Sequence, residues 1–208
     1  MTPRIERVVT SGTFSLDGGT WEVENNVWLY GDDDAVAIID AAHDAAAIAA
    51  AVDGRRVPYI VCTHGHNDHI DAAVELAELV GAPVMLHPDD RMLWDVVHPD
   101  RAPDLDLVHD QELDVDGRFH LRVVHTPGHS PGAVCLRGAD VVFSGDTLFQ
   151  GGPGATGRSY SDFPTILRSI REQLLVLPGE TRVLTGHGDE TTIGAEAGAY
   201  DDWVARGH

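Results

Sequence analysis

The chain contains no lysine. All 14 of its basic residues, out of 208 in total, are arginine. Without that amine there is no Schiff-base chemistry, no pyridoxal-binding lysine and no phosphate-loop lysine. Positive charge of any kind is scarce: 34 aspartates and glutamates give a formal net charge of −20. A surface of that sign does not displace counterions from nucleic acid, nor does it dock on anionic lipid. Cysteine is scarce as well. Cys62 and Cys135 form no CxxC pair and each lies in a β-like apolar run, so both are expected to be buried core thiols. No stretch of eighteen apolar residues exists, and the first nineteen residues lack the apolar centre of a secretory leader. The expectation is a soluble, cytoplasmic protein. A GxSxG nucleophile elbow is also missing, so nothing asks for a serine-hydrolase mechanism.

What is present suits a globular chain. The hydrophobic fraction is 43%, too high for disorder, and no linker or repeat divides residues 1–208, which are expected to form a single domain. Strands are expected at Asn26–Tyr30, Ala35–Asp40, Val57–Cys62, Pro83–Leu86, Phe119–His125, Ala133–Leu136, Asp140–Phe143 and Arg182–Thr185, from apolar runs bounded by turn residues. Helices are expected at Asp44–Val52, Ile70–Val80, Asp89–Val97, Phe163–Leu177 and Gly194–Arg206. The stretch His98–Asp110 reads as a crossing loop, and Gly145–Asp162 as a loop long enough to suggest a role. Strands and helices alternate in both halves, which predicts an α/β fold.

The twelve histidines are a mild excess, and their placement carries the argument. The run Val57–Cys62 leads straight into Thr63-His64-Gly65-His66-Asn67-Asp68-His69. In extended chain His64 and His66 point to one side, and the following helix brings Asp68 and His69 into its first turn. Three later segments repeat the order of strand, short polar loop and ligand: Thr126-Pro127-Gly128-His129-Ser130, Ser144-Gly145-Asp146-Thr147 and Thr185-Gly186-His187-Gly188. Four such loops could gather five histidines and two aspartates at one edge of the sheets. Nitrogen and oxygen donors without cysteine suit Zn²⁺, Fe or Mn in a catalytic site rather than a structural one.

The segment THGHNDH resembles the HxHxDH signature of the metallo-β-lactamase superfamily, and TPGHS, SGDTLF and TGHG look like that family's later ligand motifs, in order. Within it the chain is most similar to small type II glyoxalases, hydroxyacylglutathione hydrolases without the extra helical domain. The resemblance implies an αββα sandwich, two mixed sheets with helices on their outer faces, forming one metallo-hydrolase domain. It implies two divalent metal ions, Zn²⁺ first and Fe or Mn also compatible. His64, His66 and His129 would hold one ion, Asp68, His69 and His187 the other, with Asp146 and a hydroxide bridging. Asp68 and Asp146 are the carboxylates closest to the chemistry. Asp40, at the end of AIID, resembles the family's aspartate that braces the ligand loops, although Ala41-Ala42 replace the Ser/Thr/Pro and Gly that usually follow. The implied reaction is hydrolysis of a small thiol's thioester, an acylglutathione or an equivalent conjugate. The alternatives are a mononuclear iron persulfide dioxygenase, a lactonase or β-lactamase-like hydrolase of the same fold, and a metal-binding module without turnover.

Three weaker signals complete the reading. Gly152-Pro-Gly-Ala-Thr-Gly157 is a literal GxGxxG, but it does not open a helix directly after a strand, so it reads as a pocket-shaping loop. Phe149, Arg158 and Tyr160 are placed at the mouth of the site, Arg158 as a candidate for an anionic substrate group. Asp32-Asp33-Asp34 lacks the glycine and glutamate of a calcium loop and reads as a hairpin turn.

Overall fold

A computed structural model describes residues 2–207. The first sheet takes its strands in chain order. They are β1 (Arg4–Leu16), β2 (Gly19–Gly31), β3 (Val36–Ile39), β4 (Ile60–Val61), β5 (Val84–Leu86) and β6 (Leu105–Asp106). β1, β2 and β3 pair antiparallel; β3 to β6 run parallel. The second sheet has the order β14-β13-β10-β9-β8-β7. Its strands are β7 (Glu112–Val115), β8 (Phe119–His125), β9 (Val134–Arg137), β10 (Val141–Gly145), β13 (Arg182–Thr185) and β14 (Thr191–Thr192). Only the β10–β13 pair in it is parallel. A small ribbon, β11 (Leu148–Phe149) with β12 (Gly152–Pro153), lies in the loop after β10.

Period-two alternation sorts the strand residues into three apolar layers. Val27, Leu29, Val36 and Ile38 face outward from the first sheet onto α1 (Ala45–Val52), α3 (Ala73–Val80) and α4 (Arg91–Val97), burying Ile48, Leu76 and Trp94. Trp28, Tyr30, Ala37 and Ile39 face inward and meet Leu121, Val123, Leu136 and Phe143 between the sheets. Val124, Cys135, Val142 and Val183 face outward from the second sheet onto α5 (Phe163–Ser169) and α7 (Tyr200–Arg206), burying Ile166 and Trp203. The architecture is helix, sheet, sheet, helix, as the resemblance implies. Both cysteines are free and buried. Among the described residues no helix is long and apolar enough to cross a membrane.

Several elements differ from their expected form, for local reasons. The expected helix Ile70–Val80 is two pieces, α2 (Asn67–Ile70) and α3. Between them the Ala72 N–H donates to Ala41 C=O, and Ala41 N–H to His69 C=O, so the loop leaving β3 takes hydrogen bonds a continuous helix would keep. The segment 163–177 is α5 followed by a π turn over Ile170–Leu174, and 193–206 is α6 (Ile193–Ala197) then α7. β1 was not expected, because it pairs with β2 along 13 residues while leaving most side chains partly exposed. Its signal was the Asp17-Gly18 dipeptide, whose residues both take positive φ as a two-residue hairpin turn demands. β7, joined to β8 by the three-residue turn Asp116-Gly117-Arg118 with positive φ at its first two positions, was likewise not expected.

Candidate metal centre

Four loops leave the sheets at one edge and bring all seven candidate ligands together. After β4 the chain bends at Thr63 and His64 instead of running on extended as expected, and His66 is the N-cap of α2, which carries Asp68 and His69 in a single turn. His129 follows β8, Asp146 follows β10 and His187 follows β13. Gly186 is required beside His187: a Cβ there would stand 2.3 Å from Asp146 Oδ1 and 2.7 Å from the His69 ring.

Two triads result. In the first, His66 Nδ1 lies 3.0 Å from His64 Nε2 and 3.0 Å from His129 Nε2. In the second, His69 Nε2, His187 Nε2 and Asp68 Oδ2 lie 3.2 to 3.6 Å apart. Asp146 touches both, at 3.6 Å from His129, 3.5 Å from His187 and 3.4 Å from His69. The far side of each ring is held where the structure gives it a partner. His187 Nδ1 faces Glu24 C=O at 2.7 Å, and His129 Nδ1 faces Ala155 C=O at 2.8 Å. These contacts fix ring orientation and tautomer, leaving the other nitrogen for the centre.

The electrostatics divides between the triads. Burial drives His64 well below the ordinary histidine value and His66 down to about 3, with the neighbouring imidazoles adding to it. Burial also works against charge at His69 and His187, but the carboxylates win. Asp146, Asp68 and Asp40 raise His69 well above its usual value, and Asp146 with Asp68 brings His187 up to about 10. Reciprocally, His69 and His187 hold Asp68 down to about 2 against its own burial, and Asp146 well below the carboxylate range.

This donor set fits cations. Ring nitrogens of the first triad converge at hydrogen-bond distance although two of the three imidazoles are kept neutral, so lone pairs meet with few protons to share. Buried Asp146 Oδ1, which faces His69 Nε2 at 3.4 Å, has no hydrogen-bond partner among the described residues. A pair of divalent ions supplies the missing positive charge. A separate grouping, His87, Asp89 and His125, does not fit an ion. Its two rings stack nearly parallel, 11° apart at 4.1 Å, so their in-plane lone pairs cannot converge on one centre.

Asp40 braces the ligand loops. Its backbone stands at φ +62° and its buried carboxylate accepts from Thr63 N–H (2.7 Å) and Thr63 O–H (3.0 Å) and faces His69 Nδ1 at 2.9 Å. A non-glycine residue held in that region marks a site that its surroundings over-determine. Asp90 does comparable work and was not singled out from the sequence. Fully buried, it accepts from Gly65 N–H (2.8 Å), Ser130 O–H (2.6 Å) and Gly132 N–H (2.6 Å), and so ties the His64–His66 loop to the His129 loop. Its partners lie 25 to 42 residues away, so no spacing announces it.

Of the candidate pocket residues, Phe149 lies with its ring 6.2 Å from that of His187. Tyr160 is exposed and lines a cavity of about 250 Å³ that reaches His66 between the β1–β2 turn and α4. Arg158 lays its guanidinium 3.9 Å from the Trp21 ring centre and 5.9 Å from that of Phe14. Phe14 in turn packs on the His66 ring at 5.1 Å, so the hairpin tip and the loop around Arg158 together wall one side of the centre. The GxGxxG segment contributes β12 and then loop, with no helix until α5.

Residues 20–187 match the family described as the metallo-beta-lactamase superfamily. A probable metallo-hydrolase of Bacillus subtilis, YqgX, is 42% identical over 148 residues, covering 64% of this chain and 70% of its own. The hydroxyacylglutathione hydrolase GloC of Haemophilus influenzae is 32% identical over 191 residues, covering 83% and 89%. Among solved structures, TTHA1623 in a di-iron-bound form superposes with a TM-score of 0.73 at 33% identity, over 84% of this chain and 93% of its own. By sequence, by fold and by the grouping of its histidines and aspartates, this chain belongs to the metallo-β-lactamase superfamily.

Proposed function

We propose that the protein is a dinuclear metal-dependent hydrolase that cleaves the thioester of a small thiol. The observation that carries the reading is the pair of triads sharing one carboxylate: His64, His66 and His129 on one side, Asp68, His69 and His187 on the other, Asp146 against both. Bound there, two divalent cations lower the pKa of water towards neutrality and polarise a carbonyl. Asp146 holds the two halves in register. Asp40 and Asp90 fix the loops, so that the charge stabilising a tetrahedral oxyanion is already in place before substrate arrives. No side chain is needed as a strong base. A thiolate leaving group, with a pKa of roughly 8.5, departs with little help from an acid, and the centre offers no obvious proton donor beyond its ligands. The likeness to GloC, whose name states a thioester substrate, supports the thioester over other acyl compounds. The likeness to a di-iron protein supports two ions and leaves iron beside zinc as the occupant.

The test is a panel of S-lactoyl and other acyl conjugates of different small thiols, run beside metal counting and chelation. Hydrolysis of at least one conjugate, lost on chelation and restored by metal, is the expected result. One iron per chain with oxygen uptake on a thiol persulfide, and no hydrolysis, would replace the reading with that of a dioxygenase.

A further inference from the structure

The cavity of about 250 Å³ beside the first triad is built by residues that the ligand motifs do not call for. Its floor is Gly65, His66 and Asn67, so it begins at the ring of one ligand. Its walls come from three separate elements: the tip of the β1–β2 hairpin, α4, and Ser159-Tyr160 in the loop after β12. α4 lends it two neighbouring rows, Met92 with Val96 and Leu93 with Val97, each pair one helical turn apart.

The polar groups around this space are spent on holding it open. Asn67 Oδ1 accepts from Ser15 N–H at 2.8 Å and its Nδ2 donates to Thr13 C=O at 2.6 Å, which ties the hairpin to α2. The Asp17 carboxylate accepts from Ser159 N–H at 3.0 Å, which ties the hairpin tip to the third wall. Tyr160 stands at φ +69°, where a bulky residue is an outlier. The next residue holds the turn: Ser161 Oγ accepts from Gly157 N–H and Arg158 N–H and donates to Arg158 C=O. What remains to meet a ligand is chiefly apolar. Three of the apolar side chains at the cavity are left in water, Met92 at 43%, Tyr160 at 55% and Val96 at 81% exposed. Exposed apolar groups gathered round one cavity mark a binding site.

On the thioester reading above, we propose that this cavity takes the acyl group of the substrate, as an apolar chain of about six to eight carbons. A thioester has two arms. The thiol arm of a small carrier bears polar or charged groups, which would enter an apolar cavity without partners. Asp17 at the rim and the net charge of −20 oppose an anionic carrier there as well. A hydrocarbon acyl arm meets neither penalty and gains by leaving water. The space holds about eight groups of roughly 30 Å³, the volume of a water and near that of a methylene. A lactoyl group is too short to fill it, and its hydroxyl gains nothing from the apolar walls. Met92, Val96 and Tyr160 thereby become specificity determinants that lie outside the ligand motifs.

The test uses thioesters of one small uncharged thiol, N-acetylcysteamine, carrying acetyl, butanoyl, hexanoyl, octanoyl and dodecanoyl groups, with the metal-loaded full chain. kcat/KM is expected to rise about three- to fourfold per methylene as far as hexanoyl or octanoyl, and to rise no further at dodecanoyl. Val96→Asp, at a position too exposed to matter to folding, should lower the ratio of octanoyl to acetyl kcat/KM by about tenfold, and Val96→Ile should keep that ratio. Calorimetry of the metal-free full chain with the S-octyl and S-methyl thioethers of the same thiol gives a readout apart from turnover. The octyl compound should bind at least about tenfold more tightly. Rates that ignore acyl length, thioethers of equal affinity, or an unmoved ratio in Val96→Asp would each overturn the proposal. Turnover of no thioester at any length would instead bring down the thioester reading, and the octyl preference of the metal-free chain would still decide whether the cavity takes an apolar chain.

Discussion

Around His64 and His66 the neighbours are mostly other imidazoles; around His69 and His187 they are carboxylates. The first triad is wholly buried and the second is buried except for a partly exposed His187, yet burial has opposite outcomes in them. In the first it removes protons and leaves bare nitrogens. In the second the ion pairs overcome it, and protons are retained between His69, His187, Asp68 and Asp146. An incoming cation meets ready ligands on one side, and on the other must displace protons already serving as counter-charge. Similar-looking ligand triplets thus differ in the work of filling them, and the difference comes from where the aspartates fall.

The severest way to break the comparison is to remove the group both halves share. Asp146→Ala should lower kcat/KM for the thioester by about a thousandfold or more, roughly 4 kcal/mol of lost transition-state stabilisation, and should reduce the metal count. If steady-state kinetics found more than about a tenth of the rate retained, the triads would be working independently and the dinuclear reading would fail.

Next in size is the pH dependence of filling each half. Binding at the second triad displaces protons from His69 and His187, so the logarithm of its affinity should rise with pH at a slope approaching about two over neutral pH. At the first triad His64 and His66 are already neutral there, and the slope should be shallower. Chelator competition between pH 6 and pH 9 measures both. Equal slopes would show that the carboxylates do not divide the site.

A smaller effect sharpens the contrast from outside the ligand set. Asp90 holds Gly65, between the first triad's His64 and His66, and the His129 loop at Ser130 and Gly132, and makes no hydrogen bond to a ligand of the second triad. Asp90→Asn leaves Gly65, Ser130 and Gly132 sharing a weaker acceptor, and should cost about 10–100-fold in affinity at the first triad with the second unmoved. Metal titration reads this directly, and an equal loss at both would make Asp90 a general support of the fold.

Asp90 also marks what the sequence does and does not disclose. The candidate ligands are legible because each sits within a few residues of a strand end, and a polar loop carrying histidine after an apolar run is a local pattern. The sandwich is legible for the same reason: residues 27 to 30 and 36 to 39 alternate between two apolar layers. Asp90 is not legible, because what it does depends on partners brought near only by folding. β1 alternates between partly buried and exposed positions from Arg7 onward, but its inner positions include Thr10 and Gly12 beside Val8, Phe14 and Leu16, so the hydrophobic period in its sequence is faint. The break at Ala72 arises from hydrogen bonds with the loop after β3, which no helical periodicity records.

The least of the expected effects belongs to the metal-free protein, whose stability should fall on both sides of neutrality for opposite reasons. His66 has a folded value of about 3, below its unfolded value of about 6.5. Between those limits the unfolded chain binds more protons, so stability rises with pH there and is lost as pH falls from about 6.5 towards 3. His187 has a folded value of about 10, above its unfolded value. Its contribution is complete below about 6.5 and is lost as pH rises from there through 10. Melting curves of chelated protein should therefore show an acid limb that flattens in His66→Gln and an alkaline limb that flattens in His187→Asn. For a chain of this length each kcal/mol corresponds to about 2–4 °C. Aspartates elsewhere steepen the acid limb in every variant, so the informative quantity is the difference between variant and parent. If His187→Asn left the alkaline limb unchanged, the protons of the second triad would not be held as its ion pairs require, and the contrast between the halves would reduce to their shape.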